Sequence, residues 1–260
     1  MSLINLLAIA AVAQAPTAAQ TGPTAASLIT KMFAHYAGSK SVAGTVRMVQ
    51  TAMNQSLEID STLAYERPSL FYLSQKQSDG KRPPTEIVSD GIEVAYSIRP
   101  RIETTTQKVR ESVHPKGLKE LITPDFYHLI SLGPNLDKCL PLNVAVASID
   151  DLRYVRAQLL SFTLGNLESV NGANAYRIDG NWTQDPTHPA EGMFSMWIND
   201  AGDLVRFSTK MSFKVGADWL IKHKLPATAY PNGVSVDTVW DVNLKVDVPV
   251  NHEVFKLEKI

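Results

Sequence analysis

The spacing of apolar residues predicts one amphipathic helix near the start of the folded chain. Between Thr24 and Gly38 these residues recur every three or four positions, which is the spacing of one helix face. Thr24 can cap the first turn, and Gly38 stands where a C-cap glycine belongs. The apolar face of this helix consists of Leu28, Ile29, Met32, Phe33 and Tyr36.

After this helix the pattern changes to short segments that are rich in β-branched and aromatic residues. Glycine, proline, asparagine and aspartate separate the segments, which is typical of strands joined by turns. Short connections between consecutive strands predict antiparallel meanders. The first predicted group comprises residues 44–51, 56–65, 69–75, 84–88, 93–99 and 102–109, and the second comprises residues 161–170, 175–182, 194–199, 204–213 and 235–246.

Helical spacing returns between the two groups of strands. It predicts one or two short helices within residues 118–130 and another over 149–160. About eleven strands outnumber the helices too strongly for an α/β fold. We therefore predict an α+β fold, an incomplete antiparallel β-barrel wrapped around a few helices.

The start of the sequence reads as an export signal. Residues 3–13 form a short apolar run that ends in small residues, so we predict a signal peptide over 1–15. The alternative is a buried first helix. Residues 16–23 have the composition of a disordered linker, and 24–260 are predicted to form a single domain.

Composition argues against several classes of function. The chain has 25 basic and 26 acidic residues, and without a basic patch nucleic acid is not expected as a partner. Cys139 is the only cysteine, so neither an internal disulfide nor a cysteine-based metal cage is expected. Asp150 and Asp151, and Asp185 near His188, could bind a cation or act as acid and base, but Asp150 also fits as a helix cap and Asp185-Pro186 as a turn. We predict no enzyme activity, no metal and no cofactor.

Three short segments carry a family resemblance. They are Arg67-Pro68-Ser69-Leu70-Phe71, Ser89-Asp90-Gly91 and the strand with Tyr96. Together they resemble the signature of LolA-like periplasmic carriers of lipoproteins and lipids. The resemblance implies a LolA-like half-barrel, a periplasmic location and a monomer. It also implies acyl chains of lipoproteins, or free lipid, as the ligand, with an inner-membrane release complex and an outer-membrane acceptor as partners.

In that architecture a hydrophobic concave cavity accepts acyl chains. Leu70 and Tyr72 alternate with Phe71 and Leu73, so both faces of this strand are apolar and both must be covered. Trp197 lies between two apolar residues of a strand, and we place it on the concave face. The alternative for each residue is an ordinary role in the core. The predicted ligand-binding residues are Leu70, Tyr72, Tyr96, Met196, Trp197, Phe207 and Trp240.

The resemblance also implies a switch at Arg67. In LolA-like carriers the arginine before the proline hydrogen-bonds to a helical lid, and a guanidinium can hold several carbonyls at once. The alternative is an arginine on an edge strand beside a proline that ends a ladder. The predicted lid residues are Leu118, Leu121, Ile122 and Phe126.

A second function class stays open. Related half-barrels bind a partner's peptide when they regulate envelope stress, and an exposed strand edge can pair with a peptide. The alternative to a carrier is therefore a non-catalytic sensor or peptide-interaction module with the same fold.

Overall fold

The computed structural model of this protein describes the chain from Gly22 onwards, with gaps. The described residues are 22–53, 55–78, 84–98, 107–112, 140–147, 149–183, 192–222, 224, 226, 228–230 and 232–259. The predicted signal peptide 1–15 and the four predicted lid residues Leu118, Leu121, Ile122 and Phe126 lie outside them. Among the described helices, none is long and apolar enough to cross a membrane.

The predicted N-terminal helix is confirmed. Helix α1 spans Ala25–Gly38. Its first turn is capped reciprocally, because Ser27 N donates to Thr24 Oγ1 over 3.1 Å and Thr24 N donates to Ser27 Oγ over 2.9 Å. The predicted glycine cap is wrong, since α1 ends at Gly38 and Ser39 follows in an extended conformation. All five residues of the predicted apolar face are buried.

The eleven predicted strands are all present. The largest shift in position is that of β6, which was predicted at 102–109. The first meander comprises β1 (Ser41–Ala52), β2 (Gln55–Glu66), β3 (Leu70–Gln77), β4 (Thr85–Asp90), β5 (Glu93–Ile98) and β6 (Gln107–Ser112). The second comprises β7 (Leu159–Val170), β8 (Ala173–Trp182), β9 (Gly192–Asn199), β10 (Leu204–Phe213) and β11 (Val234–Val246).

All eleven strands form one antiparallel sheet. Their order is β6-β5-β4-β3-β2-β1-β11-β10-β9-β8-β7, so the pairing of β1 with β11 joins the two meanders. The predicted turns are observed as well. Asn171 and Gly172 both have positive φ at the β7–β8 turn, and Gly202 does so at the β9–β10 turn.

Three helices cover one face of the sheet. Besides α1 they are α2 (Leu140–Val146) and α3 (Ile149–Gln158), and a fourth helix, α4 (Ala217–Lys222), follows β10. Helix α1 packs on α2, α3, β7 and β9, whereas α2 packs on β1, β10 and β11. The predicted α+β class, an incomplete antiparallel barrel wrapped around a few helices, is thus confirmed. We call the helix-covered side the inner face and the other side the outer face.

Candidate functional site

A row of apolar side chains crosses six strands on the inner face. Cross-strand pairing aligns Ile178 with Met196, Met196 with Phe207 and Phe207 with Trp240. The row continues from Trp240 to Met48 and Ile59. None of the six residues is more than 4% exposed. Met196, Phe207 and Trp240, which were predicted as ligand-binding residues, are thus neighbours in one row.

Aromatic rings line the middle of this row. The ring centroids of Phe207 and Trp240 lie 5.3 Å apart, and those of Phe194 and Phe207 lie 6.2 Å apart. Such stacks supply large apolar area with few rotatable bonds. The inner face of β9, β10 and β11 is therefore a rigid aromatic surface.

A small cavity lies between this surface and the helices. Its volume is about 30 Å³, which is room for about two water molecules. Small-molecule sites usually measure about 300–1,000 Å³. The described residues therefore form a closed arrangement, in which helices occupy most of the inner face. The cavity is lined by Asn143, Val155, Gln158, Leu159, Trp182, Phe207, Thr209, Met211, Thr238 and Trp240.

The prediction that Trp197 lies on the concave face is wrong. Side chains of a strand alternate between faces, so Met196 and Ile198 point inward and Trp197 points outward. Its indole N–H donates to Glu168 Oε2 over 2.7 Å. The guanidinium carbons of Arg177 and Arg206 lie 5.4 and 6.0 Å from the centroid of the Trp197 ring. Polar partners thus hold this tryptophan on the outer face.

Leu70 and Tyr72 also lie on the outer face. The C-terminal 3-10 helices His252–Phe255 and Leu257–Lys259 cover this part of the sheet, where Tyr72 packs with Leu257. Leu70 lines a surface groove with Phe255. This explains why both faces of β3 are apolar, because the inner face holds Phe71 and Leu73 while the chain terminus covers the outer one. Tyr96 pairs with Ile87 in the β4–β5 ladder.

Arg67 joins the ends of two helices to the sheet. Its Nε donates to Ser39 O over 2.8 Å, and its Nη2 donates to Tyr36 O over 3.0 Å and to Ala147 O over 3.2 Å. The guanidinium carbon also lies 5.2 Å from the centroid of the Tyr65 ring. The alternative of an edge-strand arginine is wrong, since Arg67 follows β2, which pairs with both β1 and β3, and three of its hydrogen bonds go to main-chain carbonyls.

These carbonyls lie where helices need partners. The last carbonyls of a helix have no intrahelical donor and carry partial negative charge. Tyr36 and Ser39 stand at the end of α1, and Ala147 follows the last residue of α2. One cation thus stabilises two helix C-termini and fixes α2 relative to α1.

Tyr36 connects the same helix end to β10. It is 1% exposed, and its hydroxyl oxygen accepts a hydrogen bond of 3.3 Å from Leu204 N. Burial raises the pKa of Tyr36 well above its usual range, and the Asp203 carboxylate raises it further, while the Leu204 N–H has a smaller opposite effect. Beside it, His35 Nε2 lies 3.0 Å from Asp203 Oδ1. Polar contacts at the end of α1 thus hold this helix against the inner face of the sheet.

The raised pKa of Tyr36 predicts a loss of stability at alkaline pH. Above about pH 10 a tyrosine in the unfolded chain ionises, whereas Tyr36 stays protonated in the folded protein. The unfolded state then binds fewer protons, so the free energy of unfolding falls by up to about 1.4 kcal/mol per pH unit. We expect urea denaturation between pH 9 and 11 to show this slope, and Tyr36→Phe to reduce it.

The same variant separates two effects of Tyr36. At neutral pH, Tyr36→Phe leaves the buried Leu204 N–H without its acceptor, which costs about 1–3 kcal/mol. That loss lowers the free energy of unfolding at every pH. The absence of an ionisable hydroxyl at residue 36 changes only the slope of this free energy above pH 10. Tyr65 and Tyr72, whose pKa values burial also raises, contribute to the slope that remains. An unchanged slope in the variant would contradict the assignment to Tyr36.

The acidic residues considered for chemistry are only partly described. The pair Asp185 and His188 lies outside the described residues, and Asp150 and Asp151 fall in the first turn of α3. Within the described part of the chain, no group of three or more histidine, cysteine, aspartate or glutamate residues could hold a metal ion. What the inner face offers chemically is apolar area with a few neutral polar groups.

Of the ten described residues that line the cavity, the predicted ligand-binding set contained only Phe207 and Trp240. Trp182 and Asn143 are two of those that it missed. The alternation of β8 could have indicated Trp182, since Ile178, Gly180 and Trp182 are alternate residues and lie on the same face of the strand. Asn143 belongs to α2, which is too short to leave a clear helical period.

Comparisons with known proteins show similarity in structure but not in sequence. No family model matches the chain, and no curated protein matches it. A crystal structure of lipoprotein LppX from Mycobacterium tuberculosis is 14% identical, with 86% of this chain and 95% of that chain covered and a TM-score of 0.38. A crystal structure of a LolA superfamily protein from Nitrosomonas europaea is 11% identical, with 92% of this chain and 100% of that chain covered and a TM-score of 0.33. A crystal structure of LprF from Mycobacterium bovis is 14% identical, with 86% of this chain and 96% of that chain covered and a TM-score of 0.32.

Proposed function

We propose that this protein is a periplasmic carrier that binds acyl chains, of lipoproteins or of free lipids, against the inner face of its sheet. One observation carries the proposal. The apolar row from Ile178 to Ile59 is continuous across six strands, and two of the helices that cover it, α1 and α2, are joined at their ends by carbonyl hydrogen bonds to the single side chain of Arg67. Such a cover can be released without breaking the sheet.

Binding requires an open form. A cavity of about 30 Å³ is too small for an acyl chain, so α2 and α3 must move away from β8, β10 and β11. Each methylene that a ligand then buries contributes about 0.8 kcal/mol. A ligand that binds only the open form shifts the population toward it. Acyl chains of ordinary length can therefore offset the contacts that the helices lose.

The proposed cellular role of the protein combines export with the release of the helices that cover the inner face. We propose that residues 1–15 direct the chain to the periplasm, where a monomer carries its ligand without catalysing a reaction. An inner-membrane release complex would load it, and an outer-membrane acceptor would receive the ligand. Arg67 is proposed as the switch residue, because it is bound to the end of α1 and its hydrogen bond to Ala147 O exists only while α2 lies against α1.

Native mass spectrometry of the purified full chain tests the carrier function. We expect an adduct with the mass of a lipid or an acylated peptide, which organic extraction releases and a second spectrum identifies. Delipidated protein should bind a fluorescent fatty acid and Nile red at micromolar concentration. A protein that carries no adduct and binds neither probe would contradict the proposal.

One observation favours a second candidate, the peptide-interaction module. Strand β7 is the last strand of the described sheet and is twelve residues long. Its Leu160 and Leu167 are 41% and 53% exposed. Long apolar edge strands are suited to pair with an extended peptide. Binding of unfolded outer-membrane peptides by a protein that rejects every lipid probe would favour this candidate.

A further inference from the structure

Two tryptophans that line the inner cavity carry buried indole N–H groups without a hydrogen-bond partner among the described residues. Trp182 is 8% exposed and Trp240 is 3% exposed, and both line the cavity. Among the described residues neither Nε1 finds a hydrogen-bond acceptor, although both nitrogens are inaccessible to solvent. Buried donors are nearly always paired, because an unpaired one is costly. Two such donors in one cavity therefore point to a ligand group.

Gly192 packs closely against one of these donors. A Cβ on Gly192 would stand 2.8 Å from Trp182 Nε1 and 2.5 Å from Lys210 O, so a side chain there would clash with both. The glycine thus keeps a side chain off the Trp182 nitrogen. The hydroxyl of Thr238, also in the cavity wall, already accepts from Gln50 Nε2 over 3.2 Å.

The charge of the wall restricts the class of ligand. An indole nitrogen can only donate, so the ligand must present acceptors. The other polar residues among the described part of the wall are neutral, namely Asn143, Gln158, Thr209 and Thr238. Because none of the described lining residues is a cation, a buried carboxylate or phosphate would be strongly unfavourable beside them. An uncharged oxygen acceptor next to an apolar chain satisfies both requirements.

We propose that Trp182 and Trp240 bind the ester carbonyl oxygens of an uncharged acyl lipid, so that the site selects ester-linked chains over free fatty acids and plain hydrocarbon. This inference rests on the proposed carrier function and adds the linkage that the site recognises. In the closed form the helices cover the two donors. In the open form the chains lie along the aromatic row, and the carbonyls at their head reach the indole nitrogens.

Displacement of Nile red from the delipidated full chain tests this inference. The three competitors are dipalmitoylglycerol, its ether analogue dihexadecylglycerol and palmitate at pH 7. The ester and the ether have equal chain lengths and differ in their carbonyl groups. We expect the ester to displace Nile red at about a tenfold lower concentration than the ether, because two neutral hydrogen bonds are worth roughly this factor. Palmitate is expected to be the weakest competitor.

Phenylalanine substitutions assign the preference to the two donors. Trp182→Phe and Trp240→Phe keep an aromatic ring and remove the N–H. We expect each to reduce the ester-to-ether ratio to about threefold, and the double variant to reduce it to about one. Trp197→Phe is the matched control, since its N–H is bound to Glu168 on the outer face. The single variants keep the test valid if the double variant does not fold.

The outcomes separate this inference from the carrier function. Equal displacement by ester and ether, or a ratio that both single variants retain, would overturn the role of the indoles and leave the carrier function intact. Stronger displacement by palmitate would overturn the preference for an uncharged ligand. If none of the lipids displaces Nile red and native mass spectrometry finds no adduct, the carrier function itself is wrong.

Discussion

Arg67→Met should release the helices from the inner face. The variant removes the donors to Tyr36 O, Ser39 O and Ala147 O and keeps the apolar stem of the side chain. Hydrogen bonds from a charged donor contribute about 1.5–3 kcal/mol each, but these three share one guanidinium and are not additive, and partial exposure of Arg67 weakens them further. We expect the free energy of unfolding to fall by about 3 kcal/mol in urea denaturation.

The same variant should bind apolar probes more readily. Without the cation, α2 loses its polar connection to α1, so the open form becomes more populated. Nile red fluorescence at equal protein concentration should therefore rise several-fold. Arg67→Lys should fall between the wild type and Arg67→Met, since a compact ammonium cannot span three carbonyls with the geometry of a guanidinium.

Arg47→Met provides the control for the loss of a positive charge. Arg47 lies on the outer face and pairs with Glu58 over 2.7 Å, and its side chain is 57% exposed. Exposed pairs of this kind contribute little. We expect neither the urea midpoint nor Nile red binding to change. If Arg67→Met behaves like Arg47→Met in both measurements, Arg67 does not hold the cover closed.

The strands could be predicted because each one needs only local information. Two-residue alternation and turn residues located all eleven, and the Asn171-Gly172 turn followed from residues that tolerate positive φ. Short helices were harder. Helix α2 has seven residues and includes Pro141. It is shorter than two helical turns, so the spacing of its apolar residues does not repeat often enough to indicate a helix.

The face that a tryptophan occupies could not be predicted from its neighbours. Met196, Trp197 and Ile198 are all apolar, so alternation alone does not say which of them points inward. The answer depends on Glu168, which lies 29 residues away in sequence, and on two arginines from adjacent strands. Such information exists only once the register of four strands is known.

For Arg67, in contrast, the sequence motif did indicate hydrogen bonding to a helix. The resemblance implied hydrogen bonds from this residue to a helical lid, and the described structure shows hydrogen bonds to main-chain carbonyls at the ends of α1 and α2. The predicted lid residues lie outside the described part, so their role stays a prediction. A motif can thus indicate the donor, whereas only the fold shows which acceptors it meets.

Gly44→Ala should damage the junction between the two meanders. Gly44 has a φ of 145° and lies in β1, where it pairs with Leu244 of β11 and Leu63 of β2. A Cβ at this position would stand 2.0 Å from the main-chain oxygen of Asn243. Because a backbone atom cannot move aside cheaply, β1 and β11 would have to separate locally.

The expected cost of this substitution is large. Strain of a side chain at positive φ and the lost pairing together should lower the free energy of unfolding by more than about 3 kcal/mol. Gly38→Ala is the matched control, since a Cβ there would meet no atom within 4 Å and φ is not positive. It should leave stability unchanged or raise it by up to about 1 kcal/mol.

Denaturation of both glycine variants in urea, followed by circular dichroism, also tests how the inner face is built. The row that includes Met48 and Trp240 crosses the same β1–β11 pairing, so separation of these strands should weaken Nile red binding together with stability. If Gly44→Ala unfolds at the same urea concentration as the wild type, the junction is more adaptable than the close approach to Asn243 indicates. If only its Nile red binding falls, the junction positions the apolar row without limiting the stability of the sheet.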